Sequence, residues 1–363
     1  MFRGSDCHGV VVKNAGLAFN GDVARAIGKA TTRVVSDNDD NDDETKSGCY
    51  LEVFNLSGAY VLKDSELAGL ISVNRTTLAS LTMETISLLS NLSIGSIMKL
   101  TALIELSLEH CNLGTDQLLA LVSPDGKTGI TTNLKSLNLA HIPALDDKTL
   151  ATILTKAKPS LQHLDLSGSL ITDASLSVIR RINSEKGGGL RSLSFNGMKG
   201  LTSAGLEVFF SPKDAFGSKG EDDHDDEVVE VGYPPQLTKV DLGSCLNDCE
   251  NDRVIELCAI ASDRRGVGQG LVTANFAGGG SKVGDRGMEA LVGRCCLSLV
   301  ELDVSFCHKV SDKGLGYLCE KSERLKKLEI WGCAQISDDF LEGHGREGLR
   351  VEGVWMRGAK GAG

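Results

Sequence analysis

Long apolar runs are missing from this 363-residue sequence. Its uninterrupted apolar stretches, such as Leu118 to Val122, fall far short of the roughly 20 residues that cross a bilayer, so neither a membrane span nor a membrane partner is expected. Proline is scarce at six residues and aromatics make up only 4%. With 41% hydrophobic residues, these values exclude a collagenous or wholly disordered chain. Met1 to Gly9 carries Arg3, Ser5, Asp6 and His8, and the apolar core of about 7 to 15 residues that marks a secretory leader does not follow. Eleven cysteines, an odd number with no C-x-x-C pair, make a poor disulfide framework. The expectation is an intracellular chain, cytoplasmic or nuclear, with reduced thiols.

Signatures of catalysis and of cofactor binding are absent too. The seven histidines are scattered, and none falls with a Ser or Cys and an acid in a hydrolase order. Gly266-Val-Gly-Gln-Gly270 lacks the third spaced glycine of a dinucleotide loop. Gly278 to Gly284 is followed by Asp285 where a phosphate loop needs Lys. Asp37 to Glu44 has no glycine at its sixth position, as a calcium loop would. No catalytic residue, no cofactor and no metal is therefore expected.

Net charge is -11, but it is local. Asp37 to Glu44 and Glu221 to Glu227 each hold six acids, and with both runs set aside 37 acids face 38 basic residues. Such blocks repel themselves and stay solvated, so they read as linker and insert.

What the chain has in abundance is an internal repeat. L-x-x-L-x-L, with other apolar residues substituting, begins at Leu51, Leu78, Leu103, Leu134, Leu161, Leu190, Leu237, Leu271, Leu299 and Leu325, with a decayed copy at Leu349. This is mostly leucine-rich-repeat spacing. The wide gap after Leu190 holds the second acidic run. A second half-motif follows several strands, as in Leu145-Asp-Asp-Lys-Thr-Leu150, Ile171-Thr-Asp-Ala-Ser-Leu176, Val310-Ser-Asp-Lys-Gly-Leu315 and Ile336-Ser-Asp-Asp-Phe-Leu341. Its Ser, Thr or first Asp can cap a helix while the next Asp meets the helix dipole. Each unit reads as strand, turn, helix, and only stacking buries both its strand leucines and its inner helix face. The expected fold class is α/β: a leucine-rich-repeat solenoid, a ribonuclease-inhibitor-like horseshoe with a concave parallel sheet and convex helices. Residues 1–47 are expected to be an N-terminal segment with an acidic linker, partly disordered. Residues 48–363 are expected to form the repeat domain, with its acidic insert at 211–235.

Cys111, Cys245, Cys307 and Cys333 follow the strands at one fixed offset. In this the chain resembles the cysteine-containing class of leucine-rich repeats, known from F-box substrate receptors of cullin-type ubiquitin ligases. A narrower likeness is carried by Leu56 to Leu67, Leu137 to Leu150 and Leu164 to Ser169. These stretches are similar to the leucine-rich-repeat subunit of the yeast global-genome nucleotide excision repair complex. The resemblance implies a substrate-recognition role, a cullin adaptor as partner and a place in DNA repair. It departs from the class before Leu51, where no F-box or other adaptor-binding helix pair is recognisable. One cysteine per repeat sets thiols in a line, whereas zinc needs four converging ligands.

On the concave face the third, fifth and seventh template positions should point outwards, because side chains alternate along a strand. Those positions hold Glu84, Glu105, Glu109, Asp165, Asp241, Glu301, Asp303 and Glu329 against Lys239 and Lys327, with His163 beside them. Such a wall repels phosphate, so no nucleic acid is expected along it, and a basic protein partner is. The aspartates have a second reading, as local hydrogen-bond acceptors. Trp331 and Trp355, counted to the seventh position of the last two units with Phe306 nearby, are either interface anchors or a cap on the array.

Overall fold

A computed structural model describes residues 9–11, 51–58, 63–86, 89–122, 133–157, 161–185, 189–212, 235–245, 251–263, 266–278, 282–343 and 346–353. The chain divides into two compact units, Met1–Leu170 and Ile171–Gly363. No helix among the described residues is long and apolar enough to cross a membrane. The readings of Asp37 to Glu44, Glu221 to Glu227 and Trp355 lie outside the described residues.

The first unit runs β1 (Gly9–Val11), β2 (Val53–Asn55), α1 (Asp64–Val73), β3 (Ser80–Thr82), α2 (Asn91–Ile97), β4 (Glu105–Ser107), α3 (Thr115–Ala120), β5 (Ser136–Asn138), α4 (Asp147–Ala157) and β6 (His163–Asp165). Its strands pair in parallel and in chain order. Parallel neighbours need a crossover, which the helices supply on one face of the sheet. The middle residues Phe54, Leu81, Leu106, Leu137 and Leu164 are buried, as are the helix residues Leu67, Ile71, Ile94 and Ile153. β1 lies N-terminal to the first repeat motif, at a place no leucine pattern marked.

The second unit runs α5 (Asp173–Glu185), β7 (Ser192–Ser194), α6 (Ser203–Phe210), β8 (Lys239–Asp241), α7 (Asp252–Ser262), β9 (Thr273–Asn275), α8 (Asp285–Cys295), β10 (Glu301–Asp303), α9 (Asp312–Lys321), β11 (Lys327–Glu329), α10 (Asp338–Gly343) and β12 (Arg350–Glu352). β7 to β12 again pair in parallel and in order. Phe195, Phe209 and Phe210 fill its core with two edge-on ring contacts. Each unit is an α/β leucine-rich-repeat solenoid.

Two details differ from the sequence reading. The first concerns the last repeat. Leu349 is buried like other first-position leucines, yet Val351 lies opposite Leu328, so one residue is lost between the two positions.

The second concerns the capping motif. Ser90, Thr202 and Ser311 do cap α2, α6 and α9, accepting from Leu92 N, Gly205 N and Lys313 N. The following Asp, however, reaches beyond its own helix to the cap of the next repeat. Asp173 accepts from Thr202 N and Oγ1 at 2.9 and 2.5 Å, and Asp285 from Ser311 N and Oγ at 2.8 and 2.6 Å. Asp64 does the same with Ser90, Asp252 with Gly284 N and Asp312 with Ser337 N. Burial alone would raise the Asp64 carboxyl, but hydrogen bonds from Ser90 and Ser93 outweigh it and hold the group below its ordinary value.

Candidate protein-binding face

Strands β2 to β11 each bury the middle side chain and turn the two flanks to the open face of the sheet, whereas Val351 in the middle of β12 is only half-buried. Positions three and five therefore face outwards, as alternation requires. Glu105, His163 and Glu301 are exposed at position three; Asp165, Asp241, Asp303 and Glu329 are half-buried at position five.

Position seven continues the exposed face in some repeats and not in others. Ser57, Ala140, Ser167 and Ser305 are buried there, and only Glu84, Glu109, Asn196, Ala277 and Trp331 keep partial or full exposure. The cause lies at position five, where an Asn or Asp side chain accepts the position-seven N–H and curls the chain inwards. Such turns join Asn55 to Ser57, Asn138 to Ala140, Asp165 to Ser167, Asp241 to Gly243, Asn275 to Ala277 and Asp303 to Ser305, at 2.9 to 3.0 Å. One oxygen each of Asp165, Asp241 and Asp303 is thus engaged in holding the turn.

The glutamates are tied across strands instead. Glu84 accepts from Ser57 Oγ at 3.0 Å and Ser107 Oγ at 3.5 Å, Glu105 from Ser80 Oγ at 3.0 Å, and Glu109 from Asn138 Nδ2 at 3.0 Å. In the first unit, positions three, five and seven of the repeats from Leu51 to Leu161 carry Glu84, Glu105, Glu109 and Asp165 and no Lys or Arg. The second unit is mixed. Lys327 Nζ lies 2.6 Å from Glu329 Oε1 and 3.8 Å from Glu352 Oε2, while Arg350 Nε lies 2.6 Å from Glu352 Oε1. Arg350 and Glu352 were missed by the sequence count because of the lost residue in the last repeat.

Trp331 and Phe306 are each 42% exposed, unusual for large aromatics. Trp331 N–H donates to Ser305 Oγ and Phe306 N–H to the Trp331 carbonyl, which seats both on one edge of the open face. Phe306 holds φ 61°, a conformation that disfavours any residue with a Cβ. It belongs to a column. Position eight is left-handed at Gly58, Thr85, His110, His141, Gly168, Gly197, Ser244, Phe306 and Gly332. Sequence reasoning passed over His110 and His141; their place in a column otherwise rich in glycine was the available signal.

Behind this column the repeat cysteines point away from the open face. Cys111 Sγ donates to the Met83 carbonyl at 2.8 Å, Cys307 to Phe276 and Cys333 to Val304, and Cys245 to Phe195, in each case one repeat back. Burial pushes the thiols of Cys111 and Cys333 up to about 11 and that of Cys245 to about 12. They stay protonated at neutral pH and join repeats rather than react.

A family model described as Leucine Rich repeat matches residues 295–319, from the end of α8 through most of α9. No curated protein matches the chain. Among solved structures the chain is similar to one described as "Crystal structure of Rad7 and Elc1 complex in yeast". The TM-score is 0.66 and the identity 17%, over 92% of this chain and 71% of that chain. At that identity the likeness is one of fold.

Proposed function

We propose that this chain is a non-catalytic protein-recognition module that takes a basic protein partner on the open face of its sheet. In this reading it serves as the target-recognising subunit of a cullin-type ubiquitin ligase in nucleotide excision repair. The observation that carries the recognition role is the open face of the first unit, where four carboxylates stand without a Lys or Arg among the outward positions. A partner surface of opposite sign is drawn to such a face. Trp331 and Phe306 add exposed aromatic area of the kind that dominates interface energetics. The ligase and repair context is supported by the fold shared with the yeast protein solved together with Elc1 and by the cysteines at one repeat position. Buried thiols and the absence of a catalytic motif in the sequence favour binding over chemistry.

Affinity capture with the intact chain, in parallel with a Glu105→Lys, Glu301→Lys, Trp331→Ala variant, tests both levels. Recovery of a cullin adaptor together with basic chromatin proteins, the latter lost in the variant, is the expected outcome. A reproducible partner set without any adaptor would favour the alternative, a general leucine-rich-repeat scaffold unrelated to ubiquitin. A partner set unchanged in the variant would overturn recognition through the open face.

A further inference from the structure

We infer that Glu109, His110 and His141 form a binding site for one divalent transition-metal ion, of the zinc, copper and nickel group, on the first unit. One ligand atom from each residue lies within 4.8 Å of the other two. The imidazoles of His110 and His141 are stacked, with centroids 4.2 Å apart and planes 1° from parallel. His110 Nε2 is 3.7 Å from Glu109 Oε1. Two imidazoles and a carboxylate are a donor set that zinc takes with a fourth position open, and imidazole also suits copper and nickel.

Three further observations make this more than a chance surface cluster. Both histidines are held at positive φ, 57° and 56°, at a repeat position that Gly58, Gly168, Gly197 and Gly332 fill elsewhere and that Thr85, Ser244 and Phe306 occupy with the same left-handed backbone. A backbone cost of about 1 kcal/mol or more at two adjacent repeats is retained where glycine would remove it. Glu109 is oriented from behind, Asn138 Nδ2 donating to its Oε2 at 3.0 Å, the outer hydrogen bond that metal-binding carboxylates commonly have. Gly168 leaves the room that the His141 ring occupies, since a Cβ there would stand 2.2 Å from Nδ1.

The parallel rings aim their nitrogen lone pairs along separate planes, so they must turn out of the stack to share one ion. Donors about 2.0 to 2.2 Å from a tetrahedral ion are roughly 3.3 Å apart. Both histidines are exposed, so rotation about χ2 can turn the stacked edges onto one point. Water, or a donor from a bound partner, would complete the shell. Sequence reading expected no metal from the cysteine column and from Asp37 to Glu44, and it did not weigh Glu109-His110 with His141, which lie a whole repeat apart.

The test is a competition titration of the chelator-stripped full chain with Zn(II) against a chromophoric chelator, with thermal unfolding in parallel. The wild type should bind Zn(II) one to one at this site, and its unfolding midpoint should rise with metal. His110→Gly and His141→Gly suit the left-handed backbone, so they should fold at least as stably. Each should weaken binding at least about tenfold and abolish the midpoint shift, and Asn138→Ala should weaken binding less. Equal affinity in the double glycine variant would assign any binding to donors elsewhere in the chain, and no binding by the wild type would remove the site. Either result overturns the inference.

Discussion

At Gly314 two opposing effects meet. Alanine is favoured over glycine within a helix by about 1 kcal/mol, and Gly314 lies in the first turn of α9 with ordinary helical geometry. A Cβ there, however, would stand 2.3 Å from Asp285 Oδ1 and 3.1 Å from its Cα, and Asp285 could move only by releasing both bonds to Ser311. Hydrogen bonds to a charged group contribute roughly 1.5 to 3 kcal/mol, so the loss outweighs the helix gain. Gly314→Ala should therefore destabilise the chain by about 1 to 2 kcal/mol in denaturant unfolding. In an Asp285→Ala background the same change should be neutral or stabilising, because the clash is gone and propensity remains. Additive effects in the two backgrounds would show that Asp285 does not couple the repeats. The same relation recurs where Gly205 faces Asp173 and Gly287 faces Asp252, so in these three repeats the glycine in the first helical turn receives the preceding carboxylate.

The strand-turn element carries its own strain in the left-handed eighth residue. Thr85, β-branched and exposed, holds φ 61° there, and its hydroxyl reaches only the Glu84 carbonyl. Glycine would relieve about 1 to 2 kcal/mol of left-handed cost while losing up to about 1 kcal/mol to a freer unfolded chain. Thr85→Gly should thus stabilise by about 0.5 to 1 kcal/mol, read as a higher denaturation midpoint; a lower midpoint would mean that Thr85 makes contacts that matter more than its backbone. This element also marks how far the sequence could be read. L-x-x-L-x-L set the strands and their buried middles, because a period of two over apolar residues leaves one arrangement for a parallel sheet. The inward curl at position seven was legible in part: Asp165, Asp241 and Asp303 were given a second reading as local acceptors, which their bonds to the position-seven N–H groups match, but the turn those bonds close was not foreseen. The stacked His110 and His141 were hidden because propensity reserves a left-handed position for glycine, and nothing local says when another residue will occupy it. The decayed repeat expected at Leu349 does form β12, but its outward positions escaped because one lost residue moves every one of them.

For the molecule as a whole, charge decides how a partner arrives. The two acidic runs account for the net charge of -11, and the rest of the chain is close to neutral. What the described residues present is asymmetry between units: Glu84, Glu105, Glu109 and Asp165 on the open face of the first, and Lys327 and Arg350 engaged with Glu329 and Glu352 on the second. Exposed charges act over a Debye length of about 8 Å at physiological salt, so the paired end is nearly silent at a distance while the first unit is felt. Complementary charge raises encounter rates more than it slows dissociation. With a basic partner in hand, Glu84→Lys with Glu105→Lys should lower the association rate severalfold and flatten its dependence on salt, leaving dissociation nearly unchanged. Trp331→Ala should instead speed dissociation, because an exposed aromatic acts only once the surfaces touch. If the glutamate pair altered dissociation alone, those carboxylates would be direct contacts rather than a steering field. The acidic runs would then be the remaining source of long-range attraction, and their removal would be what lowers the association rate.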